Sequence, residues 1–255
     1  MWGTANYTSV GTRITLVSEL LCEAVDLQGD ERVLDVACGN GNTALAASRR
    51  FADTVGVDYQ PRLLEQARER AAVEELPVRF EEADAEALPF DDDSFDVVLS
   101  TCGVMFAPDQ QRAADELVRV CRPGGRIGMV NWTPASWVAE VGRTVGRYIP
   151  PPPGLAPPVL WGDREHVETL FRDRASLSAP TKKFLFRFAS AQQHVDYFSA
   201  NYPPIVAALG QLDDRAADNL RQDLRELALQ MNVAPDDGRL VLPLEYLEVV
   251  ATVRG

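Results

Sequence analysis

The chain has 255 residues, a formal net charge of -13, 46% hydrophobic residues and 25% charged residues. This is enough apolar chain for one compact domain with a sizeable core. The acidic balance argues against nucleic acid as a partner, because gripping phosphate backbones takes clustered Lys and Arg.

No run of about 18 apolar residues occurs, so no membrane-crossing helix is expected. The first residues lack a basic stretch leading into an apolar one, which makes the cytoplasm the expected compartment. Cys22, Cys38, Cys102 and Cys121 have no metal-ligand spacing, and His166 and His194 are the only histidines, so no metal site is expected. All four thiols read first as packing groups.

Residues 2–7, which include Trp2 and Tyr7, read as a lid over an active site. Residues 11–25 follow as a helix, with Ile14, Val17, Leu20, Leu21 and Ala24 at helical spacing. Residues 33–43 run from a buried strand into a glycine turn, and the amphipathic stretch 44–50 comes next. Gly39 and Gly41 let the backbone approach a ligand closely, and the helix start beyond them offers unpaired N–H groups. Gly39, Gly41 and Ala44 fit the dinucleotide fingerprint, whose last position tolerates alanine. A tight strand-to-helix turn that binds nothing gives the same pattern. A second strand at 54–58 ends in Asp58, where a carboxylate can accept from ribose hydroxyls. So far the ligand contains adenosine and is otherwise undetermined.

Residues 78–90 read as a strand leading into an acidic loop, with Asp84 just past the strand. Residues 94–100 are almost continuously apolar, as a central parallel strand should be. A helix at 110–121 and a Pro-Gly-Gly turn, 123–125, lead into a further buried strand ending near Trp132. These motifs, in this order and spacing, resemble class I S-adenosylmethionine-dependent methyltransferases, and among them the ubiquinone/menaquinone type. The resemblance is strong over residues 33–132.

The resemblance implies an α/β fold of Rossmann-like type. Its sheet has seven strands, mostly parallel with an antiparallel last strand, helices on both faces and a helical cap over the active site. It also implies S-adenosylmethionine as cofactor, with S-adenosylhomocysteine as product. Asp35 occupies the acidic position opening the family's first motif. Ala37, Cys38, Gly39 and Gly41 would follow the methionine portion and ribose. Asp58 would bind the ribose hydroxyls and Tyr59 would pack beside the adenine. Asp84 and Ala85 would meet the adenine edge, and Ser100 and Thr101 would help hold the methionine end. The family often has glycine where this chain has Ala37.

The whole chain, 1–255, reads as one methyltransferase domain. It divides into an N-terminal helical lid (1–30), a cofactor-binding core (31–132), a helical and proline-rich connector (133–180), a helical cap insertion (190–235) and a closing strand (240–253). A strand is also expected at 182–188. The cap should hold the acceptor, because ligands of open α/β sheets lie beyond the strand C-termini. Relatives often carry histidine after the fourth strand, where this chain has Met105 and Phe106. The remaining candidates for catalysis are Tyr7 and His194, with His166, Tyr197 and Tyr202 behind them. Trp132, Trp137, Trp161, Phe198 and Tyr202 would flank an apolar or aromatic small-molecule acceptor. O-methylation is expected ahead of C- or N-methylation, and a homodimer is possible on this reading. An NAD-dependent oxidoreductase and an S-adenosylmethionine-binding protein without turnover stay open as alternatives.

Overall fold

The structure is a computed structural model, described for residues 7–235 and 238–255. The expected lid residues 2–6 lie outside the described residues. Strand β1 (Arg32–Val36) is buried from Val33 onward, because parallel neighbours flank it on both sides. Those neighbours are β2 (Asp53–Asp58) and β4 (Phe95–Thr101). The parallel set is completed by β3 (Arg79–Glu82) beside β2 and β5 (Cys121–Trp132) beside β4. The strand order reverses between β1 and β4, which opens a crevice beyond the C-terminal ends of those two strands.

Helices α2 (Thr15–Ala24), α3 (Asn42–Ser48) and α4 (Pro61–Val73) form one layer, with α2 against β5 and β4, α3 against β1 and β2, and α4 against β2 and β3. In a second layer α5 (Gln110–Val120) covers β4 and β5, and α7 (Arg164–Leu170) packs against α5. Asp109 caps α5 by accepting the Arg112 N–H at 3.0 Å. The short helix α1 (Tyr7–Gly11) continues through a 3₁₀ turn, Thr12–Ile14, into α2. After β5 comes α6 (Trp137–Gly146), capped by Ser136, whose hydroxyl accepts from Ala139 N–H at 3.3 Å.

The long final strand β8 (Leu240–Val253) runs antiparallel to β5 on one edge. Its other edge is shared: β7 (Thr181–Phe188) pairs with the first half and β6 (Ala175–Ser178) with the second. The sheet therefore has eight strands where the sequence leads one to expect seven. The addition is β6, four residues inside the stretch expected to be connector. Its small, half-polar side chains carry little strand signal, and pairing with β8 supplies the reason it forms. Helices α8 (Ala191–Asn201), α9 (Pro203–Leu209) and α10 (Asp214–Gln230) lie between β7 and β8 in the chain, where the cap insertion is expected. Pro203 separates α8 from α9, which it starts at the first helical position. Among the described residues, no helix is long and apolar enough to cross a membrane.

Candidate active site

The turn after β1 takes three left-handed backbone positions in five residues: Ala37 at φ +54°, Gly39 at +56° and Gly41 at +84°. Ala37 adopts a conformation that favours glycine, which gives the departure noted in the sequence a structural cost. Cys102, just past β4, is also left-handed at φ +54°. Between these two strained residues the backbones come close. A Cβ on Gly103 would lie 2.4 Å from the Ala37 carbonyl oxygen.

Around this turn lies a cleft of about 610 Å³, counting the part open to solvent. Asp35, Ala37, Cys38, Gly39, Asp58, Tyr59 and Thr101 all line it, together with Tyr7. Asp58 fastens the turn to β2: its Oδ2 accepts the Gly39 N–H at 2.8 Å and its Oδ1 the Gln60 N–H at 2.9 Å. Burial raises the Asp58 carboxyl above its ordinary range, against the pull of those backbone N–H groups. Asp35 is 1% exposed. Its Oδ2 accepts the Ala44 N–H at 2.8 Å at the start of α3, while its Oδ1 is buried with no partner among the described residues. Burial pushes this carboxyl up to about 8, against the Ala44 N–H and with a smaller push from Asp58.

Four expected cofactor residues are not among those that line the cleft. Gly41 does not line the cleft. A Cβ there would come within 3.1 Å of Ala67 and of the Phe80 ring, so the residue permits close packing of α3 against α4 and β3. Ser100 is fully buried and does not line it either. Its hydroxyl donates to Val36 O at 2.8 Å and accepts the Val104 N–H at 2.9 Å, tying β1 to the loop after β4. Asp84 and Ala85 stand outside the cleft lining, just beyond β3 and adjacent to the end of β2, where Ala83 N–H donates to Asp58 O at 3.2 Å. The Asp84 loop is held firmly. Arg119 donates to the carbonyls of Phe90 and Leu88, at 2.7 and 3.0 Å, and Glu116 accepts the Leu88 N–H at 2.7 Å. The Cys38 thiol turns into packing, 3.1 Å from where a Cβ on Gly56 would lie, in line with a packing role.

Several residues of the site were not singled out in the sequence. Asn42 donates to Gly11 O at 2.7 Å and accepts from Arg70 at 2.7 Å, so it clasps the N-terminal segment onto the glycine turn. Arg70 also donates to Asn40 O at 2.7 Å. A hydroxyl chain, Ser18–Thr43–Thr101, closes the far wall at 3.1 and 2.8 Å. The position of Asn42 and Thr43 at the opening of a helix after a glycine turn was the available signal. Nothing local pointed to Arg70, 30 residues away from Asn40.

A second chamber, about 390 Å³ by the same measure, adjoins the cleft. Tyr7, Ile14, Cys102 and Phe106 line both spaces and so form their common wall. The rest of the chamber is walled chiefly by Trp132, Trp137, Phe186, Phe198 and Tyr202. No charged residue is among the described lining. Burial raises the phenols of Tyr7 and Tyr202 and the thiol of Cys102, so all three stay protonated at neutral pH.

His194 lines neither space. It is 1% exposed, with ring centroids 4.9 Å from Trp137, 5.0 Å from Phe188 and 4.8 Å from Phe198. Neither ring nitrogen has a hydrogen-bond partner among the described residues. Burial, helped by Arg13, lowers its pKa to about 3, so the imidazole is neutral. It belongs to an aromatic cluster behind the chamber wall, and the expected catalytic placement does not hold in this structure. His166 is farther off, engaged with Gln110 at 2.7 Å.

An open α/β sheet with its cleft at the reversal of strand order, floored by a glycine turn and flanked by Asp35 and Asp58, matches the fold of the class I S-adenosylmethionine-dependent methyltransferases. The family described as "Methyltransferase domain" matches residues 34–129. A Mycobacterium tuberculosis protein described as uncharacterized is 40% identical over 260 residues, covering 100% of this chain and 93% of that one. The demethylmenaquinone methyltransferase of Thermus thermophilus is 37% identical over 142 residues, covering 50% of this chain and 64% of the enzyme. Among solved structures, the YcgJ protein from Bacillus subtilis superposes with TM-score 0.66 at 21% identity, covering 94% of this chain and 99% of that one. The chain belongs to the methyltransferase-domain family of S-adenosylmethionine-dependent methyltransferases.

Proposed function

We propose that the protein methylates a small hydrophobic or aromatic acceptor, on oxygen in preference to carbon or nitrogen, with S-adenosylmethionine in the cleft and the acceptor in the aromatic chamber. The observation that carries this reading is the wall of Tyr7, Ile14, Cys102 and Phe106 common to both spaces. A donor in the cleft and an acceptor in the chamber would lie on the two sides of these four residues, next to one another.

The cleft residues fit the cofactor. The buried, unpartnered Oδ1 of Asp35 suits the ammonium end of its methionine portion. Asp58, with lone pairs beyond those taken by Gly39 and Gln60, suits the ribose hydroxyls. Tyr59 and the Asp84–Ala85 loop would meet the adenine at the open rim. When bound, the cofactor supplies an activated methyl group on a sulfonium. The chain itself positions the partners, keeps water out and holds Tyr7, Cys102 and Tyr202 as protonated walls.

A methyl-transfer screen against phenols, quinones and amines, read by product mass, tests this reading. Methylated phenol or quinone products support it. Exclusive transfer to amines removes the oxygen preference, and S-adenosylhomocysteine binding without transfer to any acceptor leaves the binding-protein alternative.

A further inference from the structure

The chamber poses a chemical problem for an ordinary alcohol or phenol. A neutral hydroxyl that takes a methyl group must lose its proton, and a protein base normally receives it. The described lining offers none: it has no carboxylate, lysine, arginine or imidazole. The titratable groups that face the chamber are Tyr7 from α1, Cys102 beyond β4 and Tyr202 between α8 and α9. Burial keeps each of them in its protonated form.

The groups behind these are no better placed as bases. Neutral His194 on α8 is enclosed by Trp137, Phe188 and Phe198. Arg13 lies over the Phe188 and Tyr197 rings, at 4.5 and 4.3 Å from their centroids. Asp58 is on the cleft side and already accepts two backbone N–H groups. Tyr246 of β8 packs edge-on against Trp132. The wall does hold a donor: the indole N–H of Trp137 is buried and has no acceptor among the described residues.

From this lining, and resting on the methyl-transfer reading above, we propose that the acceptor enters already ionised, as a planar phenol or enol acidified by conjugation to a carbonyl or nitro group. Its anionic oxygen gives an electron pair to the methyl carbon as the carbon–sulfur bond of the donor breaks toward sulfur. An anion and a sulfonium thus become a neutral ether and a neutral thioether, and no proton needs a base. In an apolar, water-poor chamber the attraction of those opposite charges is strengthened. A buried indole N–H suits the oxygen atoms such an acceptor carries.

The test begins with calorimetry of S-adenosylhomocysteine, because failure to bind overturns the methyl-transfer reading itself. With binding shown, 2-hydroxy-1,4-naphthoquinone and 2-naphthol are compared as acceptors of similar size and opposite acidity. At neutral pH the acidic acceptor should react faster by about 10²–10⁴-fold, the gap a missing general base leaves. The naphthol rate should climb with pH toward the naphthol's own ionisation.

A second readout is the visible phenolate band of 4-nitrophenol bound to protein loaded with sinefungin, a cationic amine analogue of the methyl donor. The band should persist at a pH where the free phenol is protonated. Equal rates on the two acceptors overturn the proposal, and so does a rate limb that titrates with the protein and not the acceptor. Neither turnover of the acidic acceptor nor a phenolate band, in protein that binds S-adenosylhomocysteine, overturns it as well.

Discussion

Replacing the carboxylate of Asp35 by an amide gives the sharpest test of the cleft chemistry. In the free protein burial holds this carboxyl up to about 8, from an ordinary 3.8. An ammonium placed against its unpartnered oxygen favours the ionised form, so binding must expel the proton below that pH. The apparent affinity for S-adenosylhomocysteine should then rise about tenfold per pH unit and level off above about 8. Between pH 6 and pH 9 this comes to about 100-fold, or about 2.7 kcal/mol at 1.36 kcal/mol per unit. Calorimetry in buffers of different ionisation enthalpy should record close to one proton released per ligand at pH 6.5 and few above pH 9.

The amide oxygen of the substituted side chain can still accept the Ala44 N–H, so Asp35→Asn should fold, bind more weakly, and lose both the proton release and the pH slope. Stability carries the same signature with a definite sign. The folded carboxyl keeps a proton that the unfolded chain gives up, so its contribution is fully present below about 3.8 and is lost as pH rises through about 8. Wild-type affinity that is flat from pH 6 to 9, or proton release that survives in Asp35→Asn, refutes the reasoning.

Asp58→Asn keeps the shape but removes the charge. It should weaken S-adenosylhomocysteine by about 1–3 kcal/mol in calorimetry, and unchanged affinity would remove Asp58 from the binding role. Gly103→Ala forces a Cβ to within 2.4 Å of the Ala37 carbonyl oxygen. Its urea midpoint should fall by the equivalent of about 1–3 kcal/mol, with weaker ligand binding, and an unchanged midpoint would mean the two loops separate freely. His194→Leu removes two buried ring nitrogens that lack partners among the described residues. It should leave the pH–rate profile unchanged and stabilise the fold by about 1 kcal/mol, whereas a hundredfold fall in rate would restore His194 as a catalytic group.

Much of the cofactor half is legible in the sequence, because its signals are local. A buried parallel strand is an unbroken apolar run whichever partners flank it, so β1 and β4 can be read directly. Asp58 and Asp84 follow their strands at fixed offsets. The failures share a cause, since each depends on residues distant in sequence. Gly41 looks like a ligand-approach glycine until Phe80 and Ala67 are seen beneath it. Ser100 stands at the right strand end, yet its hydroxyl is consumed by Val36, 64 residues away. His194 begins a cap helix and invites a catalytic role, but Trp137 arrives from α6, far back in the chain, to help enclose it. The edge strand β6 exists only through β8, which follows it far along the chain.

The two-sided strand β8 also sets an order of assembly. It is made after every element it joins, and until it is in place β5, β6 and β7 have no neighbour on the edges it will cover. During synthesis the β1–β5 half has its own pairings and can consolidate early, domain fashion. The aromatic half must wait with open strand edges, which template wrong pairings between chains. A stop codon or frameshift upstream of Leu240 should therefore convert the protein into aggregate while sparing almost every residue of its cofactor cleft. Slow translation through 240–253 is the moment at which a chaperone would matter most.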